Sequence, residues 1–190
     1  MKRVYIVHGW GGYPEEGWFP WLKKELEKRN YEVEVPKMPS PDTPKINSWV
    51  NYLSKVVGKP NKDHYFVGHS IGCQAILRYL GTINEKIGGM ILVAPWITLD
   101  ENTIKEEGEE SVKIAKPCIE TPIDFEKIRT ATNNFTAIFS DNDPFVPLEN
   151  SEIFKSKLNA KIIMEKNKGH FSGSDNVKKL PVVLKELLKF

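Results

Sequence analysis

The sequence predicts a three-layer α/β/α fold on a mainly parallel sheet of about six strands. Three observations carry that expectation. Short β-branched apolar runs recur along the chain, helical patterns separate them, and proline- or acid-rich stretches fill the remaining joins. The 190 residues suit a single domain, 1–190, and a composition 40% hydrophobic with five tryptophans excludes a disordered chain.

The elements follow in order. Arg3–Val7 reads as the first strand, an apolar run halted by His8-Gly9. Trp18–Lys28 places Trp18, Trp21, Leu22 and Leu26 on one helical face, and Tyr31–Val35 reads as the second strand. Pro36, Pro39, Pro41 and Pro44 supply no helical N–H, so Lys37–Pro44 is expected to be an extended loop. Ile46–Val57 is helical through Ile46, Val50, Leu53 and Val57. His64–Val67 is the third strand, followed by a helix over Ile71–Leu80. Met90–Ala94 is the fourth strand. Thr98–Thr130 reads as irregular, because Asp100–Glu110 is dense in acids with little apolar periodicity. A solvated insertion overhanging the C-terminal edge of the sheet is expected there, with no large cap domain. Asn134–Phe139 and Lys161–Glu165 complete the strands, with helices over Leu148–Leu158 and Val177–Leu188, the last opened near Pro181.

Charge and cysteine content narrow the function classes. Twenty-seven basic and 25 acidic residues are closely intermixed for a net charge of +2, so neither nucleic acid nor an anionic membrane is expected as a partner. Cys73 and Cys118 are too distant for a metal-ligand pair and too few for a disulfide framework, which fits reduced thiols in a cytoplasmic protein. The apolar run after Arg3 spans only four residues, too short for a signal-peptide core or a membrane span. No metal-ligand cluster is visible, and no cofactor or metal is expected.

Gly68-His69-Ser70-Ile71-Gly72 matches G-x-S-x-G. Average glycine and serine usage would produce such a match in roughly one chain of this length in twenty, so the pentapeptide alone is weak. Its context is the stronger signal: a strand precedes Ser70 and a helix follows it, as a nucleophile elbow requires. A sharp turn there exposes the hydroxyl at the sheet edge, and the glycines leave room for strand and helix to close on it. The competing reading is a buried serine capping a helix.

His8-Gly9-Trp10-Gly11-Gly12 directly follows the first strand. Acyl transfer needs two backbone N–H groups aimed at the carbonyl oxygen as it becomes anionic. Ile71, next to the serine, is expected to give one; Trp10 is the first choice for the other, with Gly11 next. His8 lies upstream of the serine and is expected to support this loop by hydrogen bonding. Of the four histidines, only His170 follows Ser70 with room for an acid between, the chain order of such triads. Asp141 and Asp143 both leave the fifth strand and could orient the far imidazole nitrogen. Asp143 is preferred, because Asp143-Pro144-Phe145-Val146-Pro147 has the usual form for the acid, and Asp141 is expected to bond its own loop. Gly9, Gly11, Trp96, Phe145 and Phe171 are expected to contribute to substrate binding, with Trp10 and Trp18 joining the three aromatic residues in an apolar acyl pocket.

Taken together, the chain resembles the small serine hydrolases grouped around YdeN and retinoblastoma-binding protein nine, a compact branch of the α/β-hydrolases. The likeness runs nearly end to end. Besides Gly68-His69-Ser70, the Asp143–Pro147 run and Gly169-His170-Phe171, it includes Trp18–Leu26 and Lys37-Met38-Pro39-Ser40-Pro41. The resemblance implies a sheet that starts at what larger relatives count as their third strand, and a Ser70-Asp143-His170 triad. It also implies a small carboxylic ester or an amide as substrate. One member binds retinoblastoma protein through Leu-x-Cys-x-Glu. Here Lys116-Pro117-Cys118-Ile119-Glu120 lacks the leucine, so that partner is not carried over. The competing functions are a peptidase or thioesterase on the same residues, and a binding or adaptor protein that keeps the fold.

Overall fold

The computed structural model describes residues 1–190. Six parallel strands form one sheet: β1 (Arg3–Val7), β2 (Glu32–Glu34), β3 (His64–His69), β4 (Gly89–Val93), β5 (Phe135–Ser140) and β6 (Lys161–Glu165). Their spatial order is β2-β1-β3-β4-β5-β6. β3, β4 and β5 are buried almost throughout, because helices cover both faces of a parallel sheet. The two edges are blunted differently. β2 has only three residues, two of them exposed glutamates, and β6 is partly exposed with Lys161 at its start.

Five helices fall where the periodicity puts them: α1 (Phe19–Glu27), α2 (Ile46–Val57), α3 (Ile71–Leu80), α7 (Asn150–Leu158) and α8 (Pro181–Leu187). α1 and α8 pack together on one face of the sheet; α2, α3 and α7 belong to the other. α3 is buried on nearly every side, whereas α2 turns only Ile46, Trp49, Leu53 and Val57 inward. Pro181 occupies the first turn of α8, where its missing N–H costs nothing.

The expected irregular stretch 98–130 is a correction: it folds into α4 (Glu101–Glu106), α5 (Glu109–Glu120) and α6 (Phe125–Ala131). These helices are specified by caps and charges more than by apolar spacing. The Asp100 and Asp124 carboxylates accept the N–H groups of Thr103 and Lys127. Lys105 pairs with Glu101, and Lys116 with Glu120, one turn apart. α4 buries no residue and α5 buries only Ala115 and Cys118, so the hydrophobic pattern is too thin to read. α6 docks through Ile128 and Ala131 against α3 and α7. No helix is long and apolar enough to cross a membrane.

Candidate active site

The chain runs outward from β1 to β2 and then returns past β1 to β3, so the connections after β1 and β3 leave in opposite directions. Such a switch point opens a crevice at the carboxyl ends of the strands. Ser70 stands there, between β3 and α3, with φ 53° and ψ −123°. A side-chain-bearing residue held in that region costs about 1–3 kcal/mol. Hydrogen bonds fix the turn: the Ser70 N–H donates to the Val93 carbonyl at 2.9 Å, and the Ser70 carbonyl accepts from Cys73 at 2.9 Å. The flanking glycines are steric necessities. A Cβ at Gly68 would lie 2.9 Å from backbone atoms of Cys73, and one at Gly72 would collide with the carbonyl oxygens of Val7 and His8.

The loop after β6 brings His170 to the same point. Its Nε2 lies 2.8 Å from Ser70 Oγ, and its Nδ1 lies 2.8 Å from Asp143 Oδ2 and 3.1 Å from Oδ1. With Nδ1–H donated to the carboxylate, Nε2 is left to accept the serine hydroxyl. Asp143 Oδ1 also accepts the backbone N–H groups of Phe145, at 2.9 Å, and Val146, at 3.2 Å. The Asp143 side chain is 2% exposed, against 15% for His170, so the carboxylate is screened while the imidazole still meets the cavity.

Asp141 is a correction: expected to bond its own loop, its Oδ1 instead accepts the Asn167 N–H at 2.8 Å, in the connection after β6. Its neighbours do related work. Asn142 Oδ1 accepts Gly169 N–H at 2.9 Å, and Ser140 Oγ accepts Lys168 N–H at 3.0 Å. Asp175 Oδ2 then accepts the His170 N–H at 3.0 Å and the Ser172 N–H at 2.9 Å. The histidine loop is therefore gripped from both ends, by residues that sequence order alone did not single out. The turn-forming run Ser172-Gly173-Ser174-Asp175 was the available signal.

The other two histidines of the site are structural in geometry. His8 Nδ1–H donates to the Gly9 carbonyl at 2.8 Å, and its Nε2 accepts Met38 N–H at 3.1 Å, which fixes the loop after β1. Burial lowers its pKa. His69 Nε2–H donates to the His170 carbonyl at 2.7 Å. Burial, reinforced by the adjacent His170 ring, holds the pKa of His69 down to about 3. Its Nδ1 is buried without a partner, packed so closely on Gly9 that a Cβ there would lie 2.9 Å away.

The two candidates from the glycine-rich loop are separated by their hydrogen bonds. Gly11 N–H is already donated to the Pro41 carbonyl at 2.8 Å, whereas Trp10 N–H has no protein acceptor. The Trp10 indole donates to the Asp42 carbonyl at 2.9 Å and anchors the loop. Ile71 is the first residue of α3, where an N–H has no partner within the helix.

A cavity of about 330 Å³ opens over Ser70 and His170. Gly9, Trp10, Trp96 and Phe145 line it, joined by Leu99 and Ile104 from the insertion. Phe145 also packs edge-on against the His170 ring at 5.1 Å. Three expected substrate contacts are corrected. Phe171 and Trp18 are buried in the core, the Phe171 carbonyl accepting the Trp18 indole N–H at 3.1 Å, and Gly11 lies outside the lining. Leu99, Ile104, Glu107 and Ser111 could not be chosen from the sequence, because they become wall only when α4 and α5 fold over the rim.

Comparison with known proteins agrees with this architecture. The chain is 28% identical to YdeN of Bacillus subtilis (strain 168) over 191 residues, covering 100% of this chain and 96% of that one. It is 26% identical to the serine hydrolase RBBP9 of Rattus norvegicus over 176 residues, covering 91% and 89%. The crystal structure of the B. subtilis ydeN product superposes with a TM-score of 0.87 at 30% identity, covering 100% of this chain and 98% of that one. A carboxylesterase structure from Nitrososphaera gargenis shares the fold at a TM-score of 0.75 and 13% identity, covering 99% and 90%. The family model described as "Serine hydrolase" matches residues 4–189. The chain belongs to that family and is a serine hydrolase built on the α/β-hydrolase fold.

Proposed function

We propose that this enzyme hydrolyses small carboxylic esters through an acyl-enzyme on Ser70, with His170 as general base and Asp143 as its orienting acid. The observation that carries the reading is the unbroken chain from Ser70 Oγ through the His170 ring to Asp143, both links at 2.8 Å. Ser70 Oγ attacks the ester carbonyl while its proton passes to His170 Nε2. The Asp143 carboxylate steadies the imidazolium. The oxyanion is received by the N–H groups of Ile71 and Trp10, which are preorganised and have no competing protein acceptor to break from. The imidazolium then protonates the departing alcohol, and water activated by the same histidine releases the acid. Every step uses the chain's own side chains and backbone.

A fluorophosphonate probe tests the nucleophile directly. The wild type is expected to label stoichiometrically and Ser70→Ala not at all, with p-nitrophenyl acetate hydrolysis lost in parallel. A wild type that neither labels nor turns over the ester would overturn the reading in favour of a binding protein on the same fold.

A further inference from the structure

The ionisable lining of the cavity is one-sided. Glu16, Glu107 and Asp175 contribute carboxylates and no lysine or arginine faces them, although basic residues outnumber acidic ones in the chain. None of the three is held in an ion pair. The histidines in the lining do not offset them, since His69 stays neutral and His170 is committed to Ser70 and Asp143. A cleft with one sign of charge concentrates ligands of the other sign.

The lining is also divided in space. Trp96, Leu99, Ile104 and Phe145 form an apolar wall from the connections after β4 and β5. Glu16 and Asp175 belong to the side of the histidine loop, whereas Glu107, at the end of α4, adds its charge from the insertion. Glu16 Oε1 accepts Gly173 N–H at 3.1 Å, and Asp175 accepts the N–H of His170 itself. The same loop carries His170, whose Nε2 returns the proton to the leaving group. We infer that the preferred substrates are esters of a small apolar acid with an alcohol that carries a permanent or protonated ammonium group. The inference rests on the triad reading above and adds the charge of the leaving alcohol. In the step itself, the bond between the acyl carbon and the amino-alcohol oxygen breaks as the Ser70 Oγ–acyl bond forms. The serine proton, carried on His170 Nε2, leaves with the alcohol. Water then replaces Ser70 on the acyl carbon and restores its proton.

The experiment compares butyrylcholine with 3,3-dimethylbutyl butyrate, its isostere with carbon in place of the charged nitrogen. The ratio of kcat/KM for the two is divided by the ratio of their hydroxide-catalysed rates. Partly exposed charge pairs each supply up to about fivefold, so a corrected preference for the cation of about fivefold or more is expected. It should fall toward unity in the Glu16→Gln, Glu107→Gln double variant and at high ionic strength. Loss of folded protein scales both esters alike and leaves the ratio untouched. A corrected ratio near unity in the wild type, or one unmoved by the double substitution, overturns the inference. Fluorophosphonate labelling separates the two failures: with Ser70 reactive and the ratio flat, only the charge preference falls, whereas an unreactive Ser70 removes both.

Discussion

Asp143 and Asp141 are two positions apart and chemically identical, yet the fold gives them different work. Asp143 offers one oxygen to two backbone N–H groups and turns the other to His170, so the imidazole tautomer is set by a carboxylate that cannot rotate. Asp141 accepts a single N–H from Asn167. Asparagine at 143 could present an amide N–H to the ring and stabilise the wrong tautomer. Asp143→Asn should therefore lower kcat by about 10⁴-fold. Asp141→Asn keeps an acceptor oxygen for Asn167 and should lower it less than about tenfold, the scale of one ordinary hydrogen bond. Steady-state kinetics on one chromogenic ester checks both, and the reverse ranking would exchange their roles. Much of this was legible in the sequence, because chain order and flanking motif selected Asp143. The actual partner of Asp141 was not, since Asn167 lies in a loop that meets it only after β5 and β6 pair.

Elements set the precision of the serine. α3 approaches the end of β1 so closely that no Cβ fits at position 72, and the same approach positions the turn that presents Ser70. Gly72→Ala would force α3 away from the Val7 and His8 carbonyls. A stability loss of about 1–3 kcal/mol or more is expected, the range for overpacking against a rigid neighbour. A urea titration measures that loss. Fluorophosphonate labelling of the fraction still folded should slow as well, since the turn moves with the helix. At this scale the sequence was read well where elements bury a periodic face, as in α2, and poorly at α4 and α5. Those helices turn almost nothing inward, and their capping aspartates and one-turn ion pairs carry no hydrophobic period.

Across the whole molecule, buried neutral histidine couples the site to stability. The folded protein keeps His69 unprotonated down to about pH 3, whereas the unfolded chain takes up that proton near the ordinary pKa of about 6.5. Between those values the unfolded state binds more protons, so stability falls as pH falls, by about 1.4 kcal/mol per pH unit for this one residue. His8, lowered by burial in the same sense, steepens the dependence. Unfolding free energies measured in urea between pH 6.5 and 4.5 should show this slope, and His69→Gln should flatten it by about the stated amount. A slope unchanged by that substitution would remove His69 as its source.

Linear pattern was enough for the sheet, for five of the helices and for naming Ser70, Asp143 and His170, three side chains that the fold brings within hydrogen-bond distance of one another. Each of these depends on neighbours in the chain: alternating or periodic burial, a glycine-flanked turn, and the order in which three side chains leave successive strands. The walls of the cavity were settled only when distant segments met. Phe171 turned into the core, the Gly11 N–H was taken by Pro41, and Leu99, Ile104, Glu16 and Asp175 came to line the cavity. Packing and hydrogen-bond competition between residues far apart in sequence leave no local period, and so no trace in the order of amino acids that could have been read beforehand.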